Sequence, residues 1–293
     1  MVHIRKLVKS GTSSHTVSLP KDWLEKNNLS KGDLIYINEE NNQLKISLKS
    51  KKNQKQKKEF SIEIDANDIG TIRRKTISAY INNYNIFTFH GKSLNKKLEE
   101  LKKILDNFLA LETVEQTATK LVVKDFLNLE EFSIPNTIRR MDMLTRSIIT
   151  DAKKGKKETD ALHIRDFEID KLFFLMSRLT RSNLSSPGSD ITNIDSLSTW
   201  WLAKNLESVA DSAKNLSQHY SNEISRIYDE AEQYYLECIK SYVKKDKELA
   251  NNLINKRIDL LQKTDKVKGE QKFLLKSFIK NSRNIAKIVL DSD

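Results

Sequence analysis

The chain has 293 residues, more than one ordinary domain of about 100–200 residues, and carries 51 Lys+Arg against 40 Asp+Glu for a net charge of +11. Seven glycines and three prolines are too few for the turns of a many-stranded sandwich or barrel, so the expected class is multi-domain and mostly α. The single cysteine, Cys238, excludes an internal disulfide and a thiolate zinc centre; with no apolar run of about 18 residues and no signal-peptide core in the first 15, this points to a cytoplasmic protein.

Residues 1–48 alternate short apolar runs with turn signals. Val2, Ile4 and Leu7 precede Ser10 and Gly11; Val17 and Leu19 precede Pro20; Leu34 to Ile37 precede Asn41 and Asn42; Leu44, Ile46 and Leu48 alternate. Four strands are predicted, with a short helix starting at Pro20 and ending near Asn28. A ββαββ unit of this size has little core of its own, which implies a second copy and a homodimer. Residues 49–59 (KSKKNQKQKKE) hold six lysines, one glutamate and no apolar side chain, a composition expected of a linker.

From 60 to 130 the period switches between two and about 3.6. FSIEI, NIFTF and LVV read as strands, and Ile69–Tyr80 and Leu94–Leu109 as helices, giving a small α/β domain. The domain after it, 135–293, is helical almost throughout. Breaks at Gly155, at 185–190 (SSPGSD), near Tyr220 and Ser221, near Lys244 and near Gly269 delimit six helices. Leu202, Leu206, Val209, Ala213, Leu216 and Tyr220 step by three and four, the apolar seam of a bundle helix. The six helices fall into two groups of three. ESVADSAKNLS (207–217) aligns with KSFIKNSRNIA (276–286), and DFEID (166–170) with NKRID (255–259).

Two constellations could carry function. The first 60 residues hold 13 Lys+Arg and 6 Asp+Glu, so most of the excess positive charge lies at one end. Arg5, Lys6 and Lys9, with Ser10, Thr12, Ser13 and His15 after them, would place phosphate and base-edge donors on a two-stranded ribbon suited to DNA. The second constellation is acidic. Asp166 with Asp170, and Glu207 with Asp211, are i, i+4 pairs beside their apolar seams. If the two helices are neighbours, four carboxylates converge, and a metal ion, a Lys/Arg or protonation must relieve the repulsion. The same spacing also suits a solvated acidic face. In the second group the aligned places carry Asn255, Asp259, Lys276 and Lys280, so no second acidic cluster forms. His163 could join the first face or sit at a helix start, and Cys238 reads as a core thiol. With no Gly-rich phosphate loop, GxSxG, HExxH or paired Glu-x-x-His, an enzyme is not expected.

RKLVKSGTSSHTVSLPKDWLEKNNLSKGDLIYI (5–37) resembles the swapped-hairpin AbrB/MazE/SpoVT DNA-binding domain in its polar loop, its SLPKDW entry into the helix and its KGD turn. DFEID and LESVADSAKNLSQ resemble the (E/D)xxxD motifs of PhoU helices. The order of the two, with LETVEQTATKLVVKDFL and IRRMDML between them, is similar to archaeal phosphate-uptake regulators. The resemblance implies a swapped-hairpin dimer that binds DNA and a PhoU-like six-helix bundle of two three-helix repeats. The bundle would regulate phosphate acquisition, by contact with a phosphate transporter or sensor in the alternative reading. It also implies that Asp166, Asp170, Glu207 and Asp211 hold a divalent or trivalent metal ion such as iron, zinc or magnesium, with Asp259 alone matching in the second repeat.

Overall fold

A computed structural model describes residues 3–40, 43–47, 58–155, 159–185 and 192–292. The chain divides into two compact units, 1–56 and 57–293. Most of the 49–59 segment lies outside the described residues, as do 156–158, which follow the break at Gly155, and all of the 185–190 break but Ser185.

The first unit consists of β1 (Val8–Ser10), β2 (Ser14–Thr16), α1 (Lys21–Lys26), β3 (Tyr36–Glu40) and β4 (Gln43–Ser47). β1 and β2 pair antiparallel with Lys9 opposite His15 and Ser10 opposite Ser14. Gly11 makes the turn at φ 78°, a conformation that costs a side-chain-bearing residue energy. Pro20 caps α1 and Asn28 leaves it at φ 53°. The ββαββ order follows the sequence pattern, but the first strand does not. Alternation marks Val2 to Leu7, whereas pairing begins at Val8. Among the described residues Ile4 and Leu7 have no strand beside them, and alternation alone does not pair a strand.

The second unit begins with a four-stranded sheet in the order β5-β6-β8-β7. β5 (Glu59–Glu63) runs parallel to β6 (Ile86–His90) through the crossover helix α2 (Ile69–Ile81). After α3 (Leu94–Leu105), β7 (Leu111–Gln116) and β8 (Lys120–Asp125) form a hairpin whose second strand inserts beside β6. Asp68 caps α2 by accepting from the Thr71 amide at 2.9 Å. Asp65 accepts from the Lys92 and Ser93 amides at 2.7 and 2.9 Å and so shapes the entry to α3. These hydrogen bonds, that from the Ser93 hydroxyl foremost, hold the Asp65 carboxyl below its ordinary pKa. The sequence pattern missed β7, because five of its six residues are exposed and a bulge at Thr113–Glu115 breaks its alternation. It also ran α3 on to Leu109, although the helix stops at Leu105 and Ala110 adopts φ 58° ahead of β7.

Six helices follow a single 3-10 turn at Leu129–Glu131. They are α4 (Ile134–Ala152), α5 (Thr159–Ser185), α6 (Asn193–Ser217), α7 (Asn222–Lys244), α8 (Lys247–Thr264) and α9 (Gly269–Leu290). Their limits fall at the sequence breaks, and side-chain caps from Ser133, Thr192 and Asp246 open three of them. Leu202, Leu206, Val209, Ala213 and Leu216 are fully buried, while Tyr220 lies beyond the end of α6.

Burial supports one of the two internal alignments and corrects the other. Over 207–217 and 276–286, Val209, Ala210, Ala213, Leu216 and Ser217 are buried, and so are the aligned Phe278, Ile279, Ser282, Ile285 and Ala286. The Ser212 and Ser277 hydroxyls lie 3.1 Å apart, and Asn284 donates to Asn205 at 2.9 Å. In the second helices, however, the alignment sets buried Ile169 against Ile258, which is 51% exposed. Moving it by two residues pairs Leu162 with Leu253 and Ile169 with Leu260, all buried. The DFEID/NKRID similarity is thus one of letters rather than of helix face.

The sheet and the helices keep separate hydrophobic cores within one compact unit. α5 joins them: Phe174 reaches Phe108 at a ring distance of 5.6 Å, and Phe108 stacks on Tyr80 at 4.6 Å. Beside this contact Arg178 and Asp125 form an ion pair, 2% and 1% exposed. Arg178 also donates to Asn83 at 2.8 Å and lies over the Tyr80 ring at 4.6 Å. Burial pushes the Tyr80 hydroxyl up to about 12.

Candidate nucleic-acid interface and acidic helix face

In the first unit no described residue is buried. The polar set Arg5, Lys6, Lys9, Ser10, Thr12, Ser13 and His15 is exposed throughout. Strand register puts Lys9 and His15 on one face of the ribbon and Val8, Ser10, Ser14 and Thr16 on the other. The Thr12 and Ser13 hydroxyls stand in the turn, and Ser14 is held by its hydroxyl donating to the Ser10 carbonyl. No carboxylate occurs before Asp22, and among the described residues Arg5, Lys6 and Lys9 make no ion pair. Their charge is fully available to an anionic partner.

The apolar side chains of the same unit are also open. Ile4 is 88% exposed, Leu7 73%, Leu34 82%, Ile37 58% and Leu44 69%. Ile37 and Leu44 lie on the β3–β4 hairpin, and Ile4, Leu7 and Leu34 on the segments that lead into β1 and β3; the two hairpins form separate two-stranded sheets within one chain. Leaving so much apolar surface in water forgoes roughly 25 cal/mol for each Å² that a partner would cover.

Residues 8–57 match a protein family described as antidote-toxin recognition MazE, bacterial antitoxin. The N-terminal unit carries a MazE/AbrB-like domain. This domain is compatible with DNA binding or with an antitoxin-type regulator. No curated protein and no solved structure matches the chain. Among the described residues no helix is long and apolar enough to cross a membrane.

On the helical side, α5 and α6 are neighbours and bring the acidic pairs together, but with a cation of the chain's own between them. Lys214 donates to Asp166 at 2.6 Å and pairs with Asp211 at 2.8 Å. Glu207 receives Lys204 at 2.6 Å and the Ser208 hydroxyl at 2.9 Å. Burial disfavours the Lys214 ammonium, yet its hydrogen bonds to Asp166 and Asp211 outweigh this and hold its pKa above the ordinary lysine value. Among the described residues Asp170 has no such partner. Burial first, then the charges of Asp166 and Glu207, push it up to about 6. Burial also raises Asp166 despite Lys214.

Two of the three means of relieving the repulsion are therefore in place, a lysine and a raised carboxyl. Three of the four acids already have a lysine, and among the described residues no group of three or more His, Cys, Asp or Glu is placed to hold a metal ion. The arrangement does not fit the implied metal, because Lys214 stands where a cation would bridge Asp166 and Asp211. The signal for this was in the sequence: Lys204 and Lys214 lie three residues from Glu207 and Asp211 on the same helix face.

The other histidines and the thiol do not extend either site. His163 is exposed, His90 pairs with Glu63 at 2.8 Å and His219 with Glu270 at 3.3 Å. Cys238 is buried, and burial pushes its thiol up to about 12, far from a reactive thiolate.

Proposed function

We propose that the protein is a homodimeric, non-enzymatic DNA-binding transcriptional regulator of phosphate uptake that works in the cytoplasm. The N-terminal domains of two chains cover each other's apolar hairpin faces and present two basic ribbons to DNA. The observation that carries this reading is one unit holding both a carboxylate-free basic ribbon and an unburied set of apolar side chains. Arg5, Lys6 and Lys9 would contact phosphates, while Ser10, Thr12, Ser13 and His15 at the ribbon tip would reach phosphates or base edges. The phosphate connection rests on the resemblance of DFEID and LESVADSAKNLSQ to PhoU motifs and on six helices in sequence. On this reading the helical bundle is the part that senses, or docks on a phosphate transporter or sensor.

The test is a titration of genomic and random DNA with the full chain and with an Arg5→Ala/Lys6→Ala/Lys9→Ala variant over a salt series. Each phosphate contact contributes about −0.9 to the log–log salt slope, so losing three contacts per chain flattens a dimer's slope by about 5. Equal slopes for the two proteins would sink the ribbon assignment. A second reading, an antitoxin-type regulator whose N-terminal domain also recognises a protein partner, is favoured by the family matched at 8–57. It needs a bound protein that the DNA-contact variant still captures.

A further inference from the structure

A cleft of about 620 Å³ opens beside the junction of the sheet and the helices. Its long wall is one face of α5, because Phe173, Ser177, Arg181 and Leu184 recur at four, four and three residues and therefore stack along the helix. The opposite wall is Leu197 and Trp200 of α6, and Ile81 at the end of α2 closes one side. The volume lies within the range of about 300–1,000 Å³ typical of small-molecule sites.

The lining is not that of an ordinary helix seam. Leu184 and Leu197 are 39% and 54% exposed, so no protein atom of the described residues completes this apolar surface. The Phe173 and Trp200 rings stand 6.4 Å apart at 38°, with the Trp200 indole fixed by donating to the Ser177 hydroxyl at 3.2 Å. One lining group is charged. Thr180 also lines the cleft, but its hydroxyl is shut off from solvent and does not open into it. The Arg181 guanidinium, also in the lining and exposed, donates to the neutral Asn82 side chain at 2.7 Å, and among the described residues no carboxylate stands at ion-pair distance from it.

We propose that this cleft binds a small organic anion with a flat apolar body, of the aryl-carboxylate class. The body lies against Trp200, Phe173 and Leu197, and the anionic group meets Arg181. An aromatic floor and a guanidinium in the lining specify this class, because a neutral apolar molecule gains nothing from Arg181 and a compact inorganic anion leaves the apolar walls wet. Ile81 and Asn82 end α2, whereas Thr180 and Arg181 belong to α5, so such a ligand bridges the sheet-side and helix-side elements. This inference is independent of DNA binding and of the phosphate reading.

The probes are 2-naphthoate and its neutral counterpart 2-naphthalenemethanol, titrated calorimetrically and by tryptophan fluorescence into the full chain. Expected are saturable binding of one naphthoate per chain, quenching that disappears in Trp200→Phe, and affinity at least about tenfold weaker for the alcohol, as loss of a charged hydrogen bond implies. Arg181→Met is expected to weaken naphthoate by a similar factor. Arg181 is exposed, so its replacement leaves the core intact; the comparison of two probes on the unaltered protein needs no variant at all. Absence of saturable naphthoate binding at millimolar concentration, equal binding of the alcohol, or undiminished binding to Arg181→Met each overturns the proposal.

Discussion

Arg178→Met is the sharpest probe of how the sheet is joined to the helices. The substitution keeps most of the aliphatic stem but removes the guanidinium that pairs with Asp125, donates to Asn83 at 2.8 Å and covers the Tyr80 ring at 4.6 Å. What remains is a carboxylate 1% exposed, with the Leu127 amide at 3.0 Å as its other partner. Removing one member of a pair this buried costs about 3–5 kcal/mol, because the surviving charge stays desolvated without compensation. In a unit of this size 1 kcal/mol moves the midpoint by about 2–4 °C, so the expected fall in Tm is about 6–20 °C. Differential scanning calorimetry of the full chain measures it. Adding Asp125→Asn discharges the orphan while keeping an acceptor for Leu127, and the double variant should regain most of the loss. A single variant that falls by less than 1 °C, or a double variant whose loss equals the sum of the two singles, would refute the argument that the unpaired charge sets the cost.

Three further outcomes are expected. Replacing Leu7 and Ile37 with Asp should place charge on apolar surfaces that a second chain covers and bring the mass by light scattering to that of one 33.9 kDa chain; a pair of chains surviving both changes would remove the hairpins from the interface. Asp170 is raised in the fold, so its contribution to stability is present below about pH 4 and is lost as pH rises through about 6. Asp170→Asn should therefore unfold at higher urea than the parent at pH 7 and at a similar concentration near pH 4, and a less stable variant at pH 7 would show the carboxylate to be paired. Lys214→Met leaves the largely buried Asp166 without its cation and should cost about 1–3 kcal/mol at pH 7, and less as the pH falls, since burial raises the Asp166 carboxyl and protonation removes its need for a cation, by the same urea titrations. Unchanged stability at pH 7 would contradict the role of Lys214 as the internal counter-ion.

The sequence by itself determined the limits of the six C-terminal helices, because Gly155, Gly269 and the polar segments between them act locally through backbone conformation and capping. It determined the buried seam of α6 for the same reason: a 3.6-residue period is a property of one helix and needs no partner. It also placed the basic charge at the N-terminal end, which no fold can redistribute. Tertiary structure decided the rest. Edge strand β7 carries almost no buried residue, so only its pairing with β8 reveals it. That Leu260 rather than Ile258 shares the place of Ile169 depends on which face of α8 meets its neighbours. The acidic pairs were visible at i, i+4. Whether a metal or a lysine lies between two helices is a matter of distance across them, and here Lys214 reaches Asp166 from 48 residues away in the chain. The Arg178–Asp125 pair and the cleft beside Trp200 likewise join residues of low local signal, for side-chain chemistry at an interface is set by packing between elements, which local periodicity does not encode.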